Sequence, residues 1–247
     1  MKKIEIKEFG GPEVLEIKKV DIGKPGQNEV LVKNLSVGIN YIDTYHRSGL
    51  YPIPLPSGIG LEACSIIEEV GSEVRLFKVG DRVTRASMPI GTYSEKQIIP
   101  EDKLVKVPDN ISDEVASCIT LKGITAEYLL HRTYQVKKGD KILYHAAAGA
   151  LGQIFCPWAN ALGAEIIGTV GSDEKIEIAK KNGCHHVINY NEKNFVEEVE
   201  KIVGKNGLDV VYDGVGAKTF EGSIEVLKVR GMMVAFGSAS GYVHKLD

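Results

Sequence analysis

Cysteine is scarce in this chain, and neither sign of charge is in excess. Four cysteines occur among 247 residues, and Cys64, Cys118, Cys156 and Cys184 form no Cys-x-x-Cys pair and have no histidine at ligand spacing. A disulfide scaffold is thereby excluded, and buried free thiols are expected rather than a zinc site. Lys plus Arg number 30 against 33 Asp plus Glu, a formal net charge of -3, and the two signs interleave along the chain. No face is set to track a phosphate backbone, so nucleic acid is not expected as a partner. No run approaches the roughly 18 consecutive apolar residues of a membrane helix, and no membrane association is expected. Met1-Lys-Lys-Ile-Glu-Ile-Lys7 alternates polar and apolar and lacks the apolar run of a signal peptide, so a cytoplasmic protein is expected. Also missing are a Gly-x-Ser-x-Gly elbow and a P-loop, which disfavours hydrolases and nucleoside triphosphatases.

The composition present is that of a globular protein, with 43% hydrophobic and 26% charged residues. Its length suits one large domain or two modest ones, and two rhythms divide it. Up to about residue 110 the pattern is β. Residues 2–9 and 14–20 alternate, 29–37 form a β-branched run after Pro25-Gly26, and 62–70, 81–85 and 93–99 are bounded by Gly or Pro. Tyr51-Pro-Ile-Pro-Leu-Pro-Ser-Gly58, with three prolines, is an irregular loop of the kind that lines sites. After residue 112 helix and strand alternate. Ser112 caps a helix towards Leu121, and a second helix covers 126–133. Strands at 141–145, 165–170, 186–190, 208–213 and 232–236 are separated by helices at 150–162, 173–182, 193–203 and 217–228. That alternation predicts an α/β architecture with a doubly wound parallel sheet. Five strands are legible where the dinucleotide-binding version has six, so the chain is expected to stop one strand short. The domains are expected to be a β-rich one over 1–115 and a Rossmann one over 116–247.

Strand 141–145 runs into Ala146-Ala-Ala-Gly149-Ala-Leu-Gly152 and a helix. This matches the second half of a dinucleotide fingerprint. Gly149 admits a pyrophosphate near the backbone, Gly152 lets helix and strand pack closely, and the helix N-terminus faces the phosphates. Ala147 stands in place of the first glycine. Pro157 falls inside the helix and is expected to kink or break it. The next strand ends Gly168-Thr-Val-Gly171-Ser172, without the acid that usually bonds a ribose 2′-hydroxyl. Ser172 and Lys175 suit a 2′-phosphate, so NADP is favoured over NAD. Asp173 and Glu174 in the same turn keep NAD open, as does a Lys175 that is merely solvated. Tyr134-Gln-Val-Lys-Lys138 precedes the glycine turn and is a chance Tyr-x-x-x-Lys pair. His185-His186 starts a strand and is expected to be a surface pair rather than a metal site.

In order and spacing the segments resemble the medium-chain dehydrogenase/reductase superfamily, and within it the NADPH:quinone oxidoreductases of the zeta-crystallin-like branch. Gly10-Gly-Pro-Glu-Val-Leu15 is similar to that family's opening hairpin. Val37-Gly-Ile-Asn40-Tyr-Ile-Asp43-Thr-Tyr45-His-Arg47-Ser-Gly49-Leu-Tyr51-Pro resembles its active-site loop. Gly58-Ile-Gly60-Leu-Glu62-Ala, Lys78-Val-Gly80-Asp81-Arg82-Val and Leu121-Lys122-Gly-Ile-Thr125-Ala follow in the same order. His145-Ala-Ala-Ala-Gly149, Val187-Ile-Asn-Tyr190, Val211-Tyr-Asp213 and Phe236-Gly237-Ser-Ala-Ser-Gly241 complete the series.

The resemblance implies a GroES-like domain before the Rossmann domain, and NADPH-dependent reduction of a quinone or activated alkene in a zinc-free cleft between them. It assigns Asn40, Tyr45 and Tyr51 to the nicotinamide and substrate cleft, with either tyrosine able to hydrogen-bond a quinone oxygen. Thr125 is placed near the cofactor. Gly149, Ala150, Leu151 and Gly152 face the pyrophosphate, and Gly171, Ser172, Lys175 and Tyr190 the 2′-phosphoadenosine end. Phe236, Gly237, Ser238 and Gly241 flank the nicotinamide. Where zinc-binding members carry Cys and His this chain has Asn40 and Leu61, and their four-cysteine lobe is missing, so no metal is expected. Ala150 stands where the quinone branch has glycine. An alkenal or enone reductase and a non-catalytic NADPH-binding, crystallin-like protein are the alternatives. A homodimer is expected, because strand 232–236 would otherwise leave a sheet edge unpaired.

Overall fold

The computed structural model describes residues 1–243, and the chain divides into two units, Met1–Leu121 and from Lys122 onward. The first contains β1 (Lys2–Ile6), β2 (Glu16–Lys19), β3 (Glu29–Gly38), α1 (Tyr41–Ser48), β4 (Ser57–Gly58), β5 (Glu62–Val70), β6 (Arg82–Ala86), β7 (Lys96–Pro100) and β8 (Val105–Lys106). Helix α2 (Asp113–Tyr128) carries the chain across the boundary. The second unit continues with β9 (Lys141–Tyr144), α3 (Gly152–Ala161), β10 (Glu165–Val170), α4 (Ile176–Lys181) and β11 (His186–Asn189). Then come α5 (Phe195–Val203), β12 (Leu208–Asp213), α6 (Phe220–Glu225) and β13 (Leu227–Ala235).

In the first unit an antiparallel five-stranded sheet has the order β7-β3-β5-β6-β8, beside a small sheet β2-β1-β4. Val30, Val32, Ile67, Val83 and Ile99 point one way at period two and close a core over Leu104. The register of β3 on β5 shifts between Leu31/Val32 and between Asn34/Ser36, irregularities that bend the pair before it delivers Gly38 and Asn40 to the start of α1. Residues 40–48, legible in the sequence only as a loop, are therefore a helix. Asn40 is its N-cap, in a reciprocal box with Asp43, and Gly49 ends it with φ 80°, a backbone state that suits glycine.

The second unit's sheet is parallel throughout, ordered β11-β10-β9-β12-β13. Both faces are covered, so its strands carry continuous apolar runs. Ile142, Tyr144, Ile166, Val210 and Tyr212 meet Phe155 and Cys156 of α3 on one side, while Leu143, Ile167, Ile188 and Val211 meet Val199 of α5 on the other. The Tyr144 and Phe155 rings stack at 4.4 Å, and Tyr212 donates to Leu129 O at 3.1 Å. Helix α3 runs through Pro157 unbroken, held by Phe155, Cys156 and Ala159, all fully buried. The two helices expected at 112–121 and 126–133 are one helix, α2, closed by a π turn over Leu129–Thr133. Strand β13 starts at Leu227, inside the expected helix, with Arg230 at φ 67° and a register shift opposite Leu208/Val210. Cys64, Cys156 and Cys184 are buried free thiols as expected; Cys118 is exposed, on the same outward face of α2 as Val115 and Ile119.

Candidate functional site

The strand order reverses between β9 and β12 in the second unit, and the crevice at such a switch point, beyond the carboxyl ends of the strands, is where α/β sheets take ligands. Residues 145–151 form the turn there. Ala147 is buried, its N–H donating to Thr169 O of β10 at 2.9 Å, while Gly149 N–H closes the turn on Ala146 O at 2.8 Å. Gly149 and Ala150 are exposed, and α3 begins behind them with no side-chain cap. The N–H groups of Gln153 and Phe155 are bonded back to Gly149 O at 3.0 Å and Leu151 O at 2.8 Å, so the helix start is closed by the turn's own carbonyls, with the exposed small residues in front of it. A Cβ on Gly152 would stand 2.4 Å from Ala147 O and 2.7 Å from its carbonyl carbon, so the helix reaches this close only because residue 152 is glycine. A Cβ on Gly149 would meet only Ala146 O, at 3.0 Å. The turn therefore fits a pyrophosphate: small, exposed, and backed by a helix N-terminus with no side-chain cap.

The tip of β10 is the second element. Tyr190 lies against it, its Oη 3.0 Å from where a Gly171 Cβ would stand, and its N–H donates to Val170 O at 3.1 Å. Asn191 Nδ2 donates to Gly171 O at 2.7 Å. Ser172 precedes a 3-10 turn, Asp173–Lys175, in which Lys175 is exposed. One oxygen of Asp173 accepts from Asn189 Nδ2 at 2.8 Å, which engages the nearest carboxylate with the end of β11. Gly171, Ser172, Lys175 and Tyr190 thus gather around one strand tip.

Residues 236–241 pair with the loop after β12. Phe236 N–H donates to Asp213 O at 2.9 Å, Ala239 N–H to Gly214 O at 3.2 Å, Ser240 N–H to Val215 O at 2.7 Å and Ala217 N–H to Gly241 O at 3.1 Å. Gly237 packs on Gly214, and Ser238 on Gly216. Underneath lies a buried polar network that the sequence reading named only as motif letters. Asp213 Oδ1 accepts from Val215 and Gly216 N–H, and its Oδ2 from the Thr219 and Ser223 hydroxyls. His145 is bonded through Nε2 to Ser223 Oγ and through Nδ1 to Thr169 Oγ1, each at 2.9 Å. Burial lowers the imidazole to about 4, with Asp213 pulling it back up, so His145 is neutral near pH 7. The Ser223 hydroxyl donates to Thr219 O or Asp213, which leaves His145 donating from Nε2 and accepting at Nδ1. Thr125, half-buried on α2, belongs to the same unit.

The first unit holds the remaining predicted residues on and beside α1. Tyr45 and Tyr51 have ring centroids 5.1 Å apart, Tyr41 joins at 5.3 Å from Tyr45, and Tyr51 N–H donates to Tyr45 O at 3.2 Å. Asn40 is buried, its Nδ2 donating to Glu62 Oε2 at 2.9 Å, while Glu62 Oε1 accepts from Leu121 N–H at 2.7 Å. Sequence reasoning missed the buried pair Asp43 and His46. Asp43 Oδ2 accepts from Asn40 N–H at 2.9 Å and from Tyr93 Oη at 2.8 Å. The Asn-x-x-Asp spacing of a capping box was the available signal.

Among the described residues no group of three His, Cys, Asp or Glu side chains is placed to hold a metal. The chemistry around Asn40 points the same way: its amide is spent on Glu62, Asp43 Oδ2 is occupied by two donors, and the Cys64 thiol, near Asp113, is pushed up to about 11 by burial. These residues do not fit a zinc ion. No helix among the described residues is long and apolar enough to cross a membrane.

Comparison with known proteins agrees with this two-part architecture. Residues 26–109 match the alcohol dehydrogenase GroES-like domain, and residues 150–246 match the family described as zinc-binding dehydrogenase. A quinone oxidoreductase of Pseudomonas aeruginosa is 48% identical over 243 residues, 98% of this chain and 75% of its own. A 2-haloacrylate reductase of Burkholderia sp is 47% identical over 239 residues, 94% of this chain and 72% of its own. The crystal structure of Escherichia coli quinone oxidoreductase complexed with NADPH superposes with a TM-score of 0.97 at 48% identity, covering 100% of this chain and 76% of that one.

Proposed function

The chain belongs to the quinone oxidoreductase family, and on that premise we propose that it catalyses NADPH-dependent reduction of quinones. The observation that carries the cofactor half is the turn 149–152, where a helix start with no side-chain cap is brought by Gly152 to the switch point of a parallel sheet. When bound there, NADPH supplies the hydride. Ala150, Leu151 and Gly152 face its pyrophosphate with their backbone, and Gly149, whose own N–H closes the turn, leaves room beside them. Ser172 and Lys175 take the 2′-phosphate, with Tyr190 and Gly171 beside the adenosine. Engagement of Asp173 with Asn189 supports NADPH over NADH, because that carboxylate is held to the neighbouring strand end. Thr125, Phe236, Gly237, Ser238 and Gly241 serve the nicotinamide half.

Tyr45 and Tyr51 offer an aromatic face and two hydroxyls, which suits a flat acceptor whose carbonyl oxygen gains charge during reduction. Asn40 is fixed by Glu62 and orients this end of α1. Reduction of an activated alkene is the second reading, favoured by the similarity to a 2-haloacrylate reductase. Edge strand β13, with exposed Val229 and Met232, supports a homodimer, and four cysteines without a disulfide support a cytoplasmic location. Mixing the protein with NADPH and a benzoquinone, then with NADH, tests the reading. Oxidation of NADPH well ahead of NADH is expected. Equal rates would overturn the roles of Ser172 and Lys175, and absence of oxidation would overturn the reductase reading.

A further inference from the structure

His145, Thr169, Asp213, Thr219 and Ser223 are each at most 3% exposed, and every one of these side chains is hydrogen-bonded to another of the group. A fully satisfied buried network of this kind fixes one arrangement of the segments that contribute to it. His145 stands at its centre. Its N–H donates to Tyr212 O at 3.0 Å just before the phosphate turn begins. Its Nδ1 accepts from the Thr169 hydroxyl of β10, two residues before Gly171, and its Nε2 donates to the Ser223 hydroxyl of α6, each at 2.9 Å. Ser223 carries the link onward, because its own hydroxyl donates to Thr219 O at 2.7 Å and lies 3.3 Å from Asp213 Oδ2. Asp213 Oδ1 in turn accepts from Val215 and Gly216 N–H, in the loop whose carbonyls at Gly214 and Val215 hold Ala239 and Ser240. The imidazole also packs perpendicular to Phe195, at a centroid distance of 5.0 Å, which restrains it from tipping. One rigid ring thus joins three segments: the turn 146–152, the tip of β10, and the paired loops 213–217 and 236–241.

We propose that His145 is the positioning residue that sets these three segments in register, so that the adenosine and nicotinamide ends of NADPH are bound as one unit. This rests on the NADPH reading given above and adds to it a residue that acts from behind the cofactor-facing groups. Towards the adenosine end it acts through Thr169, on the strand that leads to Gly171 and Ser172. Towards the nicotinamide end it acts through Ser223 and Asp213, on the loop that carries residues 236–241. A neutral imidazole suits the task because it accepts on one edge and donates on the other within a single plane.

The two links can be cut one at a time. Thr169→Val and Ser223→Ala each remove one hydroxyl, and His145→Asn is long enough to accept from Thr169 but too short to reach Ser223. Binding of NADPH is measured by titration calorimetry beside that of adenosine 2′,5′-bisphosphate, which carries the adenosine end alone, and Tm is recorded for each cofactor-free protein. Ser223→Ala and His145→Asn are expected to weaken NADPH by about 5- to 30-fold while leaving the bisphosphate within about 2-fold of wild type. Thr169→Val is expected to weaken both ligands. The double variant His145→Asn/Ser223→Ala is expected to lose no more than its weaker parent, since both changes cut the same link. A purely structural histidine would lower Tm and leave the ratio of the two affinities as in the wild type. An unchanged ratio in Ser223→Ala and His145→Asn, or additive losses in the double variant, overturns the proposal. Should His145→Asn fail to fold, Ser223→Ala against Thr169→Val decides the matter. A wild type that binds NADPH but reduces no benzoquinone overturns the reductase reading alone, because every affinity here is read without an acceptor. A wild type that does not bind NADPH overturns both.

Discussion

Replacing Gly152 by alanine tests whether the cradle depends on the closeness of α3 to the turn before it. The new methyl would lie 2.4 Å from Ala147 O, 2.7 Å from its carbonyl carbon and 2.9 Å from its Cα, all backbone atoms. None of these can rotate away, so the helix start or the turn must move. Ala147 is itself fully buried and bonded to Thr169 O, which makes the turn the stiffer partner. Overpacking of this kind costs about 1–3 kcal/mol. In a chain of this size that lowers Tm by about 2–12 °C, at 2–4 °C per kcal/mol. Gly149→Ala is the control, since its methyl meets one atom at 3.0 Å at an exposed position. It should leave Tm nearly unchanged but weaken NADPH by about 5- to 30-fold, equivalent to about 1–2 kcal/mol. Thermal unfolding and NADPH fluorescence titration measure both. A Gly152→Ala protein with wild-type Tm and NADPH affinity, or a Gly149→Ala protein that is the less stable of the two, would refute the reasoning.

Other expectations follow from the same geometry. Lys175→Ala should reduce the ratio of NADPH to NADH affinity by about 5- to 30-fold at low salt, equivalent to about 1–2 kcal/mol for a screened, charge-assisted contact, and the loss should shrink as salt rises. Tyr45→Phe should lower kcat/KM for a benzoquinone by about 2- to 12-fold, the range of one neutral hydrogen bond, without altering NADPH affinity; an unchanged kcat/KM removes Tyr45 from the acceptor site. His145 carries a folded-state value of about 4 against 6.5 when unfolded. The unfolded chain therefore binds the extra proton first as pH falls, and stability present above pH 6.5 is lost between 6.5 and about 4. The loss is about 3 kcal/mol at most. Denaturant unfolding of wild type and His145→Gln across that window should show the slope in the wild type and a flatter line in the variant.

Much of the architecture was legible because it depends on local pattern. The β-branched run at 29–37 and the run at 62–70, bounded by glycine, give two strands of the first sheet. Consecutive apolar residues at 142–144, 166–167 and 210–212 stand at the centres of their strands because a parallel sheet is covered on both faces. The glycines at 149 and 152 announced a tight strand-to-helix turn, and the sheet has the five strands that the sequence showed. Residues 40–48 were not legible as a helix. Their apolar positions are few, and what starts and stops α1 is the Asn40–Asp43 box and the φ of 80° at Gly49.

By itself, then, the sequence determined the order of elements, the turn at 149–152 and the residue types at each strand tip, since all of these follow from periodicity and backbone freedom. Tertiary structure alone decided which polar groups meet. It set Asp173 against Asn189, put His145 between Thr169 and Ser223 (24 and 78 residues away in the chain), and buried Asp43 and His46 with one atom apiece left unpaired. The physical reason is that hydrogen bonds and desolvation act over a few ångströms of space, and residues far apart in sequence come within that range only once the sheets have formed.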